Sequence, residues 1–127
     1  MTNKTVLVPD ASHPITVTPT SGRVVVSLGG RVLGDSSRAL TLQEAKYPPV
    51  QYLPLADVDP AVLERTEHST YCPYKGDARY FSVVVDGEAL ENVVWFYEEP
   101  YDAVAPIAGH VAFYANRVDV RIEAGAP

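Results

Sequence analysis

The sequence contains a single cysteine, one tryptophan and one methionine, and it has no long hydrophobic run. One cysteine cannot form an intramolecular disulfide, so a reducing compartment is expected. Pro9 and Pro14 interrupt the first residues before any apolar segment of signal-peptide length, and no segment approaches the roughly 20 apolar residues of a membrane span. We therefore expect a cytoplasmic protein with no membrane partner.

Positive charge is also scarce. The chain has ten lysines and arginines and sixteen aspartates and glutamates, so its net charge is −6. A nucleic-acid partner is not expected, because phosphate binding needs a clustered basic face. Neither a metal nor another cofactor is expected, since one cysteine and three scattered histidines do not form the close-spaced ligand pairs of a zinc site.

Proline and glycine are abundant, with eleven and eight residues, and 46% of the chain is hydrophobic. This composition favours short strands and turns around a packed core over long helices. The length of 127 residues fits one domain. We predict a flexible N-terminal arm over residues 1–13, with a short strand at Thr5–Val8, and a single β domain over residues 14–124.

Alternating apolar residues and turn signals predict about eight short strands and one short helix, which is a mainly β, antiparallel architecture. Gly29-Gly30 and Asp86-Gly87 are predicted hairpin turns, because both positions of such a turn favour positive φ. Ala39–Ala45 is either a strand or a helical turn. The other predicted strands are Ile15–Thr18, Arg23–Leu28, Arg31–Asp35, Ala78–Val85, Leu90–Tyr97, Gly109–Ala115 and Arg117–Ala124.

The segment Tyr47–Pro60 contains four prolines. Because proline lacks the backbone N–H that a sheet ladder needs, this segment is predicted to be an extended edge or a loop. Pro60 follows Asp59, and this order is typical of the first helical position after an N-cap. One or two helical turns are therefore predicted from Pro60.

The segment Ser69–Ser82 concentrates reactive side chains around a proline and a glycine. Lys75 and Arg79 flank Gly76, whose missing side chain allows close approach of a ligand, and Arg38 is a third candidate cation for an anionic group. The alternative is that these cations form surface ion pairs with Asp77, Asp35 or Glu98.

Cys72, the only cysteine, has two interpretations. It is a nucleophile if a nearby cation or histidine lowers the pKa of its thiol. It is otherwise a small buried hydrophobic residue in the turn before Pro73.

Aromatic residues recur on the predicted strands. Trp95 and Tyr97 should share one face of their strand while Phe96 points to the other. Tyrosine combines an apolar ring with a polar hydroxyl, which suits a small-molecule cleft. Phe81, Phe96 and Phe113 are expected in the core.

His110 follows Glu98 and Glu99 and is a candidate general base oriented by a carboxylate. The alternative is a surface histidine at a strand end beside two solvated glutamates.

Several segments together resemble one known family. They are Gly34–Leu40 with Tyr47–Tyr52, then Thr70–Tyr80, and Asn92–Tyr97 continuing through Pro100 to Ile107–Tyr114. Over about residues 20–122 the chain resembles the bacterial and fungal domain of unknown function 427, which also carries the label of a nucleotidyltransferase domain. The resemblance implies a compact β-tent fold of two antiparallel sheets meeting at an angle, similar to the drug-binding domain of cereblon. Nucleotide transfer needs paired carboxylates on magnesium and a phosphate-binding glycine loop, and the residues do not support that label.

Three functions are compatible with these features. The first is a domain that binds a small polar or anionic organic ligand, with no other partner beyond a weak homodimer. The second is a cofactor-independent acid–base enzyme, such as an isomerase, cyclase or hydratase, with Lys75 or His110 as base and Tyr74 as acid. The third is a protein-interaction module that displays the proline-rich edge. The predicted ligand-binding residues are Arg38, Tyr52, Cys72, Tyr74, Lys75, Trp95 and Tyr97.

Overall fold

A computed structural model describes residues 4–124. Ten strands form within these residues: β1 (Ile15–Pro19), β2 (Arg23–Leu28), β3 (Arg31–Ser36), β4 (Leu40–Glu44), β5 (Val50–Pro54), β6 (Leu63–Cys72), β7 (Gly76–Val85), β8 (Glu88–Tyr97), β9 (His110–Phe113) and β10 (Asp119–Glu123). Three short 3-10 segments, Leu55–Asp57, Pro60–Val62 and Asp102–Ile107, connect them.

The strands form two antiparallel sheets. The larger sheet has seven strands in the order β1-β4-β5-β9-β8-β7-β6, and the smaller has three in the order β10-β2-β3. The predicted mainly β fold with two antiparallel sheets is confirmed. The chain passes from the larger sheet to the smaller one twice, between β1 and β2 and again between β9 and β10, and returns to the larger sheet between β3 and β4.

Two hydrophobic clusters bury both faces of the larger sheet. In the first cluster, Val24, Val26 and Leu33 of the smaller sheet pack with residues of the larger one, among them Val94 and Phe113. The second cluster contains Tyr52, Tyr80 and Tyr97, completed by Val104 and Ile107 of the 3-10 segment. Strand β8 contributes to both clusters because its side chains alternate: Val94 and Phe96 contact the first, and Trp95 and Tyr97 the second. The prediction for Trp95, Phe96 and Tyr97 is confirmed.

Both predicted hairpin turns are present. Gly29 and Gly30 have φ of 56° and 84°, and Asp86 and Gly87 have φ of 52° and 80°. These positive values are those that a tight two-residue hairpin requires. The turns join β2 to β3 and β7 to β8.

Two predictions about elements were wrong, and one strand had not been predicted. Leu63–Cys72 is a ten-residue edge strand that the sequence analysis missed, because an exposed edge strand can be rich in charge and need not alternate. Strand β5 lies inside the sheet between β4 and β9 rather than at an edge. An interior position is possible because no proline interrupts the strand: Pro54 is its last residue, and Pro48 and Pro49 precede it. The prediction of one or two helical turns from Pro60 is confirmed: Pro60–Val62 forms a single 3-10 turn, and the Asp59 carboxylate caps it by accepting from the Ala61 N–H.

The second wrong prediction concerns the N-terminal arm, in which Thr5–Val8 forms no strand. Its described part lies along the turn between β6 and β7. The Leu7 N–H donates to the carbonyl of Pro73, and the Tyr71 hydroxyl donates to the carbonyl of Thr5. Its flexibility stays a prediction.

No helix among residues 4–124 is long and apolar enough to cross a membrane.

Candidate functional site

A cavity of about 250 Å³ opens beside the second hydrophobic cluster. We call it the tyrosine cavity. Alternation along β4, β5 and β8 places every second residue in its wall, which is why the pairs Leu42/Glu44, Val50/Tyr52 and Trp95/Tyr97 line it together. The remaining lining residues are Tyr47, Pro48, Lys75, Tyr80 and Tyr114.

The polar end of the tyrosine cavity is a largely buried ion pair. The Lys75 ammonium donates to Glu44 Oε1, and the two side chains are only 11% and 17% exposed. The other carboxylate oxygen, Glu44 Oε2, lies 2.8 Å from His13 Nε2. Both oxygens of Glu44 are therefore occupied, whereas the Lys75 ammonium has three N–H groups and uses one of them in this pair.

The turn between β6 and β7 holds Lys75 in this position. The Lys75 N–H donates to the Cys72 carbonyl at 3.2 Å, and the Lys75 carbonyl accepts from the Tyr101 N–H at 3.0 Å. Gly76 has φ of +110°, and a Cβ added there would lie 3.3 Å from the Glu99 carbonyl oxygen. Glycine thus lets the turn pack closely against residues 99–101.

The N-terminal arm brings His13 to the opposite side of Glu44. Asp10 accepts hydrogen bonds from the N–H groups of Ser12 and His13, which shapes the turn before β1. The His13 ring stacks on Tyr74 with ring centroids 4.2 Å apart and planes 5° from parallel. Glu44 is therefore held between the arm and the β6–β7 turn.

Opposing effects set the ionisation of Glu44. Burial raises the pKa of its carboxyl, but the hydrogen bonds from Lys75 and His13, with the attraction of their charges, outweigh burial and leave the pKa below its ordinary value. Glu44 is consequently ionised at neutral pH. The negative charge of Glu44 offsets the positive charge of the Lys75 ammonium. This end of the cavity therefore combines strong hydrogen-bonding groups with little net charge.

Phenol hydroxyls line the remaining wall. Tyr52 accepts from Trp95 Nε1 at 3.1 Å, and the Tyr80 hydroxyl lies 2.9 Å from Thr70 Oγ1. Within residues 4–124 the Tyr97 hydroxyl forms no hydrogen bond. Burial raises the pKa of both Tyr52 and Tyr97 well above the usual value, so both stay protonated and can donate.

Four of the seven predicted ligand-binding residues line the tyrosine cavity: Tyr52, Lys75, Trp95 and Tyr97. Cys72 packs against the second cluster without lining the cavity. Tyr74 is adjacent, stacked on His13.

The structure does not bring Arg38 or His110 to this cavity. Arg38 is 66% exposed and pairs with Asp57 at 2.9 Å, so the expected convergence of Arg38 with Lys75 is not found. His110 Nδ1 lies 2.9 Å from the Ala108 carbonyl oxygen. The proposed pairing of His110 with Glu98 is not formed, because Glu98 pairs with Arg65 and Arg79 on the surface. The Arg79–Glu98 contact is one of the surface ion pairs expected for Arg79.

Glu44 and His13 were not among the site residues predicted from the sequence. One signal for Glu44 was available: Leu40, Leu42 and Glu44 occupy the same face of β4, so a carboxylate follows two core residues on an inward-facing row. Its partner Lys75 is 31 residues away in the chain, and only the tertiary fold brings them together.

The comparison with known families agrees with this architecture. The family described as a domain of unknown function, DUF427, matches residues 16–124. The chain belongs to this family. The match includes β1–β10 almost entirely and all residues of the tyrosine cavity. No curated protein matches the chain closely enough to be counted as a relative.

Proposed function

We propose that this DUF427 domain binds a small polar organic molecule in the tyrosine cavity. The observation that carries the proposal is the cavity itself: a concave aromatic site with a largely buried Lys75–Glu44 pair at one end. Ligand sites characteristically combine apolar aromatic walls with a few fixed polar groups that orient the ligand.

Charge at the polar end favours an uncharged ligand over a strongly anionic one. A phosphate or carboxylate approaching Lys75 would also meet Glu44, whose two oxygens repel it. A carbonyl oxygen avoids this repulsion and can accept from the free N–H groups of Lys75 or from the Tyr97 hydroxyl. An amide or lactam carbonyl on a planar ring matches these donors and the aromatic walls.

The volume limits ligand size. At about 250 Å³, the cavity is smaller than the roughly 300–1,000 Å³ of sites for drug-sized molecules. It is larger than the about 150 Å³ apolar cavity that accepts benzene. One substituted ring is therefore the expected size of the part that enters it.

The test is a ligand-observed NMR screen with one-ring amides, lactams and carboxylates, followed by titrations of the hits. Trp95 is the only tryptophan and lines the cavity, so its fluorescence reports binding there. We expect Lys75→Met to weaken binding of an amide hit about tenfold or more, since one charge-assisted hydrogen bond contributes about 1.5–3 kcal/mol.

Lys46→Met is the matched control, because Lys46 is exposed and does not line the cavity. It should bind the same hits with unchanged affinity. The proposal would be wrong if no ring compound perturbs Trp95, or if both lysine variants bind equally well.

A second candidate, an acid–base enzyme on the same site, is favoured by one observation. The Lys75 side chain, which donates to Glu44, lines the same cavity as the protonated hydroxyls of Tyr52 and Tyr97. Such donors can stabilise the enolate oxyanion that forms when the Glu44 carboxylate takes a proton from the carbon next to the ligand carbonyl, and the proton returns to that carbon from Glu44. Lys75 would then stabilise the enolate as a hydrogen-bond donor rather than act as the base first expected. In this case Tyr97→Phe would reduce proton exchange at the carbon next to the ligand carbonyl, measured by deuterium incorporation, by a much larger factor than it reduces ligand affinity.

The interaction-module alternative has less support, because the proline-rich edge on which it depended contains the interior strand β5. A cytoplasmic location remains part of our proposal, supported by the single cysteine.

A further inference from the structure

A second, larger cavity adjoins the tyrosine cavity. It measures about 460 Å³ and is bordered by Val26 and Ile122 of the smaller sheet and by Leu53 and Phe113 of the larger sheet. We call it the inter-sheet groove. Its lining is mainly aliphatic and aromatic carbon, and no charged side chain contributes to it among the described residues.

The two cavities share part of their walls. Tyr47, Pro48, Val50, Trp95 and Tyr114 line both. The tyrosine cavity otherwise borders residues of the second hydrophobic cluster, such as Tyr52 and Tyr97, while the groove borders residues of the first, such as Val26 and Phe113. The cavities therefore lie on opposite faces of the seven-stranded sheet and meet at a common wall.

An interruption in the sheet explains how they meet. Strands β5 and β9 pair only at Leu53–Val111 and Pro54–His110, whereas β7 and β8 pair along most of their length. Beyond Leu53, the residues Val50 and Gln51 of β5 and Phe113 at the end of β9 line the groove instead of continuing the ladder. The ladder thus ends at Leu53–Val111, and Val50 and Tyr114, which lie beyond that end, border both cavities.

We propose that the ligand is amphipathic: its polar ring occupies the tyrosine cavity, and an aliphatic substituent passes over the shared wall, beyond the end of the β5–β9 ladder, into the inter-sheet groove. This inference rests on the proposed function. Continuity with the polar site selects the occupant, because Trp95 and Tyr114 line both cavities and a molecule held at Lys75 and Glu44 can extend along them into the groove. The apolar residues that the groove leaves exposed, among them Tyr47, Tyr114 and Ile122, would gain cover from such a substituent.

The test compares benzamide with 4-butylbenzamide in titrations followed by Trp95 fluorescence. Each buried methylene contributes about 0.8 kcal/mol, or about fourfold in affinity. Because the groove is partly open, we expect 4-butylbenzamide to bind roughly tenfold or more tightly than benzamide.

Ile122→Glu places a charge in the groove at a position that is 52% exposed, so the fold should tolerate it. This variant should bind benzamide normally and lose most of the gain from the butyl group. Leu55→Glu is the matched control, since Leu55 is similarly exposed and lines a separate apolar depression with Val58 and Phe81. It should retain the gain.

Several results overturn the inference. Equal affinity for the two probes overturns it while leaving the proposed function intact, whereas binding of neither probe at Trp95 overturns both. A butyl gain that survives Ile122→Glu, or that Leu55→Glu abolishes, places the substituent elsewhere. If the protein is a dimer that Ile122→Glu dissociates and the butyl group gains nothing, the groove is a contact between two copies.

Discussion

At the scale of single residues, Glu44 determines the polar end of the tyrosine cavity. Its carboxylate joins two segments that are distant in sequence, the N-terminal arm through His13 and the β6–β7 turn through Lys75. A largely buried charge is stable only when it is paired, and removing one partner leaves the other desolvated and unsatisfied. The same pair that orients a ligand therefore also contributes to the stability of the domain.

This dual role predicts non-additive effects on stability. Lys75→Met and Glu44→Gln should each lower the free energy of unfolding by about 2 kcal/mol, because each leaves its partner without its main contact. The double variant should lose about 1–2 kcal/mol less than the sum of the single losses, since neither charge remains. Urea unfolding monitored by circular dichroism provides the measurement.

The exposed pair Arg65–Glu98 is the control, with both side chains 52% exposed. The corresponding Arg65→Met and Glu98→Gln changes should each alter the unfolding free energy by less than about 1 kcal/mol and show little coupling. Strictly additive losses at Lys75 and Glu44 would contradict the idea that they act as one buried pair.

At the scale of elements, the β6–β7 turn is the part of the fold that presents Lys75, and Gly76 is its most restricted position. Gly76→Ala should lower the unfolding free energy by about 2–3 kcal/mol, because positive φ strains alanine and the added Cβ meets the Glu99 carbonyl oxygen. Gly87→Ala in the β7–β8 turn also has positive φ, but nothing lies within 4 Å of its added Cβ. It should lose only about 1 kcal/mol. Equal losses in denaturant unfolding would show that contact with Glu99 has no part in holding the turn.

Local signals account for the elements that the sequence predicted correctly. The β2–β3 and β7–β8 hairpins have turn residues suited to positive φ and flanking apolar runs. Strand β6 lacked such a signal, because Glu64, Arg65 and Glu67 face solvent at the sheet edge. Tyr52, Trp95 and Tyr97 were predictable as site residues since their aromatic character and alternation are local properties, whereas the Glu44–Lys75 contact depends on how β1 and β4 join the larger sheet.

At the scale of the whole molecule, the arrangement of the two sheets creates space that neither sheet would contain alone. The larger sheet supplies the polar cavity, and the smaller sheet adds Val26, Val120 and Ile122 as the far wall of the groove. The two spaces adjoin at Val50 and Tyr114, just beyond the end of the short β5–β9 ladder. A fold with a continuous ladder at that point would keep a polar site and an apolar site apart.

The acid sensitivity of the whole domain should depend on Glu44. Its pKa lies below the ordinary value of 4.5 in the folded protein, so the unfolded chain binds the proton more readily. The stability that this difference contributes is present above about pH 4.5 and is lost as the pH falls through the folded-state pKa. We therefore expect the free energy of unfolding to decline below about pH 5 in wild-type protein and to decline less steeply in Glu44→Gln.

Glu88→Gln, which removes an exposed carboxyl at the start of β8, should leave the wild-type slope nearly unchanged. Urea unfolding across the acid range measures these slopes, and a wild-type slope in Glu44→Gln would mean that other carboxyls, such as Asp57, dominate acid denaturation.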